Sequence, residues 1–154
     1  MGERDVTPIR RLDHVAIAVG DTEAALLHFR DRLGLVVVHS EEIEQPHVRL
    51  TYLDVGNAFI QLVEPLDEGS DLARTVAANG EGIHHICFGV DDALQAAATF
   101  SADGAAPVRG TGRGRISSFV PGPAAHGVRI ECTEFDRAAD VDSTPGWLEP
   151  SPGP

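Results

Sequence analysis

The chain has 154 residues, 42% of them hydrophobic and 23% charged, with a formal net charge of −12; that is enough for one soluble domain or for two small repeats sharing a core. The acidity excludes nucleic acid as a partner, which needs a basic face, and no apolar run approaches the roughly 20 residues of a membrane helix. The twelve basic residues are all Arg, which removes lysine Schiff-base chemistry, and the start MGERDVTPIRR lacks the apolar core of a secretory signal, so the cytoplasm is the expected compartment.

Residues 1–11 read as a polar leader. Residues 12–19 alternate as a strand. Asp21 or Thr22 caps a helix whose apolar face is Ala25, Leu26, Phe29 and Leu33, with Gly34 as its stop. A β-branched strand follows at 35–40, an acidic connection at 41–47, a strand at 48–53, a turn at Gly56-Asn57 and a strand at 58–63 closed by Pro65. Residues 12–66 thus form a βαβββ module. Residues 67–81 are a bridge with a short helix capped by Ser70 or Asp71 and ended by Asn79-Gly80. The order then repeats over 82–135: a strand at 82–90, a helix at 92–102, a Gly/Arg-rich strand and turn at 107–115, and strands at 116–120 and 128–135. The tail, 136–154, carries four prolines and few apolar residues and reads as mostly disordered, with Trp147 as a side chain that could dock. Cys87 and Cys132 lie in apolar strands and are expected as buried free thiols.

The two modules repeat more than their element order. LDHVAIAVG (12–20) aligns with GIHHICFGV (82–90), so His14 and His85 occupy the same slot, and Gln61 and Glu131 occupy matching places on the last strand of each module. Alternate side chains of a strand share a face, so two facing modules would bring His14, Gln61, His85 and Glu131 together. Two imidazoles, a carboxylate and an amide oxygen suit a divalent Co, Mn, Ni, Fe or Zn ion. Strict alternation sends His84 to the opposite face, where a structural role is expected. In the RGTGRGR run, Arg109, Arg113 and Arg115 alternate with glycine, a composition that can cradle a phosphate or carboxylate.

The βαβββ duplication, with Asp13-His14, QLVEPL at 61–66, GEGIHHICF at 80–88 and GVRIE at 127–131, resembles the vicinal oxygen chelate superfamily of glyoxalases, bleomycin-resistance proteins and dioxygenases. Within it the motifs look most like methylmalonyl-CoA epimerases. The resemblance covers residues 11–135. It implies an α+β fold, two βαβββ modules forming a cupped mixed sheet around a metal site, commonly in a homodimer. It also implies His14, Gln61, His85 and Glu131 as metal ligands and an isomerase that epimerises an acyl-CoA through a metal-stabilised enolate. The chain departs from the family in two places. The third-strand slot that holds a catalytic Glu in bacterial epimerases holds Arg49 or Leu50 here; Glu131, His47 and Glu44, with Tyr52, are the candidate acid/base groups. The Phe-Leu-His-Pro-Lys run of the family is replaced by Phe119-Val120-Pro121-Gly122-Pro123. Alternative readings on the same fold are a glyoxalase-like isomerase or lyase, or a secondary-metabolism enzyme, acting on a dicarbonyl substrate; a third is a non-catalytic small-molecule binding protein.

Overall fold

In the computed structural model, residues 9–136 are described. They form one eight-stranded mixed sheet: β1 (Ile9–Ala18), β2 (Val36–Glu44), β3 (His47–Asp54), β4 (Phe59–Pro65), β5 (Gly82–Val90), β6 (Gly110–Gly112), β7 (Arg115–Phe119) and β8 (Ile130–Glu134). The spatial order is β2-β3-β4-β1-β5-β8-β7-β6. Each half runs in the same order from the centre outwards. β1 pairs with β4 in parallel, β5 pairs with β8 in parallel, and the halves join through an antiparallel β1–β5 seam. The sheet curls into a cup, as expected of two facing βαβββ modules.

The two modules put their helices on the outer face. α1 (Thr22–Leu26) continues as a π-helical turn over Leu27–Arg32, and α3 (Ala93–Phe100) is its counterpart. Leu26 of α1 packs on Val19, Leu53 and Leu62; Ala93, Ala96 and Ala97 of α3 pack on Val90 and Cys132. Both helices start at the expected Asp. Asp21 accepts from the amide of Ala24 and Asp92 from that of Gln95. Each helix has a second anchor that the repeat also duplicates. Glu64 at the end of β4 accepts the Thr22 amide at 2.8 Å, and Glu134 at the end of β8 accepts the Ala93 amide at 3.2 Å. A carboxylate at a helix N-terminus satisfies otherwise orphaned amides and complements the dipole. The bridge helix α2 (Asp71–Asn79) is capped by Ser70 and ended by Gly80 (φ 82°), as expected.

The inner face of the first module carries Ala16, Val48, Leu50, Tyr52 and Val63, with Ile43 and Phe59 against them. Three boundaries differ from the sequence reading. β1 begins at Ile9, inside the expected leader, because Ile9 and Arg11 pair with Val90 and Gly89. The acidic segment 41–44 is strand rather than connection: it runs antiparallel to β3, with Glu41 opposite Leu50 and Glu44 opposite His47. A bulge between Val37 and His39 shifts that ladder by one residue, so Val37 packs with Leu53 towards α1 while His39 meets Tyr52 inside the cup. β8 is shorter than expected, starting at Ile130. Cys87 and Cys132 are free and buried. Among the described residues no helix is long and apolar enough to cross a membrane. The expectations for residues 1–8 and 137–154, Trp147 included, lie outside the described residues.

Candidate metal centre

Two bulges in the β1–β5 seam build the centre. The pairing shifts by one residue between Leu12 and His14, leaving Asp13 as the extra residue of β1. It shifts back between Ala16 and Ile17, leaving His84 as the extra residue of β5. A bulge breaks strict alternation and re-aims side chains. Each extra residue therefore meets the ring of the histidine that follows it. Asp13 Oδ2 accepts from His14 Nδ1 at 2.7 Å, and His84 Nδ1 lies 2.7 Å from His85 Nδ1. His84 is thus no separate structural residue on the far face, as alternation suggested; it is the contact that fixes His85.

With each Nδ1 engaged, both Nε2 atoms turn to the same point. His14 Nε2 is 3.3 Å and His85 Nε2 3.5 Å from Glu131 Oε1, and the two rings stand edge to face at 5.5 Å. The ligand atoms of these three residues lie within 4.8 Å of one another. His14, His85 and Gln61 are 2%, 5% and 4% exposed. Gln61, on β4, donates through Nε2 to the Tyr52 hydroxyl at 2.8 Å, leaving Oε1 inward. His14 Nε2, His85 Nε2 and Gln61 Oε1 are buried without a hydrogen-bond partner. Orphaned buried polar atoms are rare and costly. Three lone-pair atoms gathered beside one carboxylate are the donor set of a divalent cation of the borderline class, so the residues present fit the metal that the repeat implies.

The charge states follow from the same contacts. Burial pushes the His14 imidazole down, but its contacts with Asp13 and Glu131 outweigh burial and raise it. Burial pushes the Glu131 carboxyl up, but the adjacent His14 and His85 rings outweigh it and hold the group ionised, well below the usual range. Burial, joined by the charges of His14 and Arg129, keeps His85 neutral, against the pull of Glu131. His84 is pushed down to about 4 by burial and by the neighbouring His85. Neutral imidazole and ionised carboxylate are the ligating forms: Glu131 and His85 are held in them, and a cation competes with a proton for His14.

The β6–β7 hairpin closes over this group. Arg113 (φ 54°) and Gly114 (φ 71°) make a two-residue turn with both φ positive, the hairpin class that favours Asn or Gly. Its arginine points into the cup. The guanidinium pairs with Asp13 and lies 4.6 Å over the Tyr52 ring, while its backbone amide donates to Glu41 at 2.6 Å. A Cβ on Gly112 would meet the Tyr52 hydroxyl at 3.1 Å, so glycine permits the close approach. What remains is a cavity of about 30 Å³ among His14, Leu50, Tyr52, Gln61, Arg113 and Glu131, room for about one water or ion. A larger cleft of about 750 Å³ shares no lining residue with it; Phe88, Phe100 and Val120, which pack against the α3 cluster, wall it with Phe119, Pro121 and Arg129. Phe119 stands edge-on to His85 at 4.8 Å.

His14, Gln61, His85 and Glu131 therefore come together as the repeat indicates. Of the three arginines offered as an anion cradle, Arg113 enters the cup. Arg109 is exposed, and Arg115 reaches the carbonyl of Glu134, so the run forms no single cradle. Glu44 and His47 face each other across the exposed tip of the β2–β3 hairpin. His47 is five residues along β3 from Tyr52, about 17 Å at strand rise, and the fold does not bring either residue to the ligands. Of the two residues at the altered third-strand slot, Arg49 turns out to Glu42 and Glu64, and Leu50 lines the cavity. Sequence reasoning missed Asp13, Arg113's inward turn, and Glu41. The preceding-residue pairs Asp13-His14 and His84-His85 were the available signal for the bulges.

The profile described as the Glyoxalase/Bleomycin resistance protein/Dioxygenase superfamily matches residues 13–119. An ethylmalonyl-CoA/methylmalonyl-CoA epimerase of Cereibacter sphaeroides is 40% identical over 111 residues, 71% of this chain and 82% of that protein. Among solved structures, a variant of Streptomyces coelicolor methylmalonyl-CoA epimerase in complex with 2-nitronate-propionyl-CoA is 32% identical with a TM-score of 0.75, covering 84% of this chain and 97% of that one. Methylmalonyl-CoA epimerase from Mycobacterium tuberculosis is 30% identical with a TM-score of 0.75, covering 92% and 97%.

Proposed function

The chain belongs to the Glyoxalase/Bleomycin resistance protein/Dioxygenase superfamily, and on that premise we propose that it is a metal-dependent epimerase of a methylmalonyl-CoA-like acyl-CoA. The observation that carries the proposal is the set of three buried, unpartnered ligand atoms, His14 Nε2, His85 Nε2 and Gln61 Oε1, gathered around Glu131. Similarity to epimerases of acyl-CoA substrates gives the substrate class.

The reacting carbon of such a substrate lies between a thioester and a carboxylate, so its proton is acidic and both neighbouring carbonyls share the charge left by its removal. A divalent ion held by His14, Gln61, His85 and Glu131 supplies Lewis-acid stabilisation of that charge. The rest falls to the chain. Asp13 and His84 engage the Nδ1 atoms of His14 and His85 and so orient both rings with Nε2 inward. The Tyr52 hydroxyl, whose oxygen accepts from Gln61, keeps its own proton, because burial raises its pKa; that O–H is a donor for a developing oxyanion. Inversion needs one proton-carrying group on each face of the carbon. Glu131 serves one face. Leu50 leaves the other face without a carboxylate of its own strand, and Glu41, its partner across the ladder, fills that role: its Oε1 and the Tyr52 hydroxyl both border Gly112. The cleft walled by Phe119 takes the acyl-CoA chain; its volume lies within the range of small-molecule sites. Assembly as a homodimer is part of the proposal, supported by the exposed Val36, Val38 and Ile83.

The test is α-proton exchange. Methylmalonyl-CoA in D₂O, incubated with the protein and one divalent metal at a time, loses its α-proton signal by NMR, and chelation stops the loss. Metal bound without exchange would turn the reading to an isomerase or lyase of another dicarbonyl compound, to which the apolar Leu50 wall is also suited.

A further inference from the structure

Arg113 belongs to the second module, yet its contacts are with the first. Its guanidinium pairs with Asp13, whose other partner is His14 Nδ1. It also covers the face of Tyr52, whose hydroxyl holds Gln61 Nε2, and reaches the ring of Phe59 at 5.2 Å. One side chain thus touches the two residues that orient the two metal ligands of the first module. The backbone commits to this contact. Arg113 occupies a left-handed conformation (φ 54°) that a residue with a Cβ seldom adopts. Gly112 lets the hairpin close on Tyr52, and the Glu41 carboxylate accepts the Arg113 amide and anchors the turn.

We propose that Arg113 is a positioning residue for the metal centre: it clasps the second module onto the first and sets the pose of His14 through Asp13 and of Gln61 through Tyr52. The inference rests on the reading that these four side chains hold a metal, and it goes beyond that reading by assigning the orienting group. The planar guanidinium matters as much as the charge. It pairs in-plane with a carboxylate while stacking on an aromatic face, which an ammonium cannot do. Asp13 has one oxygen without a hydrogen bond and is buried, so without Arg113 its charge would rest on the His14 ring and the more distant Arg11.

The experiment titrates Co²⁺ into the full chain by calorimetry and records the cobalt d–d absorption. Arg113→Ala is expected to weaken Co²⁺ binding about ten- to a hundredfold, the usual effect of losing a residue that orients a ligand, and to alter the absorption band. Arg113→Lys restores charge to Asp13 but not the cover on Tyr52, so it recovers part of the affinity and retains an altered band. Gly112→Ala, which pushes on the Tyr52 hydroxyl from the same hairpin, shifts the band with Arg113 intact. Wild-type affinity and an unchanged spectrum in folded Arg113→Ala would overturn the proposal; if that variant fails to fold, the same result in Arg113→Lys and Gly112→Ala would. Exchange of the substrate α-proton is scored separately on the wild type. Loss of exchange there with metal bound contradicts the epimerase reading and leaves the Arg113 result to stand by itself.

Discussion

His84 and His85 meet through their Nδ1 atoms at 2.7 Å, so one imidazole must donate to the other. If His85 donates, its Nε2 carries a lone pair towards Glu131; if it accepts, its Nε2 carries a proton and cannot bind a metal. His84→Leu removes the acceptor and is expected to lower metal affinity about tenfold or more, whereas His84→Gln, which keeps an acceptor oxygen, loses less. Calorimetric titration of both variants checks this, and equal affinities would show that the contact has no part in binding.

Glu41 faces Leu50 across the β2–β3 ladder and accepts the Arg113 amide. Glu41→Gln keeps the acceptor and removes the base. The α-proton exchange rate is expected to fall about 10²- to 10⁴-fold, the usual contribution of a general base, with metal affinity changed less than about threefold. Full exchange in this variant would assign the second face of the carbon to another group.

Filling the centre should stabilise the fold, because a cation partners atoms that are otherwise buried and unpaired. A ligand that binds only the folded state at a hundred times its Kd contributes about 2.7 kcal/mol. For a chain of this size that raises Tm by about 5–10 °C. Thermal unfolding with Co²⁺ or Mn²⁺ against a chelator measures the rise, and His85→Ala should abolish it.

Glu64 and Glu134 hold the starts of α1 and α3 from equivalent places in the two modules. Replacing either with Ala should cost about 1 kcal/mol of stability and leave metal affinity at its wild-type value. Chemical denaturation of each variant beside a metal titration separates the two effects.

The duplicated βαβββ order and the four ligands were legible because the repeat places His14 over His85 and Gln61 over Glu131, and a strand's period of two assigns their faces. The same period misled for His84. Alternation holds only in a regular ladder, and the β1–β5 seam carries bulges at Asp13 and His84 that no hydrophobic pattern announces. Glu41–Glu44 looked like a connection because acidic residues are poor strand formers; pairing with β3 overrides that preference and puts Glu41 in the cup. The inward turn of Arg113 was hidden for another reason. Its position in a Gly-rich run suggested a solvent-facing anion cradle, while the groups that draw it inwards, Asp13 and Tyr52, are distant in sequence and adjacent only once the modules face each other.

The claim that His14, Gln61, His85 and Glu131 form one metal centre is tested most directly by anomalous scattering at the cobalt edge from crystals grown with Co²⁺. The account predicts one strong peak about 2.0–2.2 Å from His14 Nε2, His85 Nε2 and a Glu131 oxygen, with Gln61 Oε1 completing the protein ligands. No peak between those residues at saturating Co²⁺, or a peak elsewhere on the chain, would contradict it.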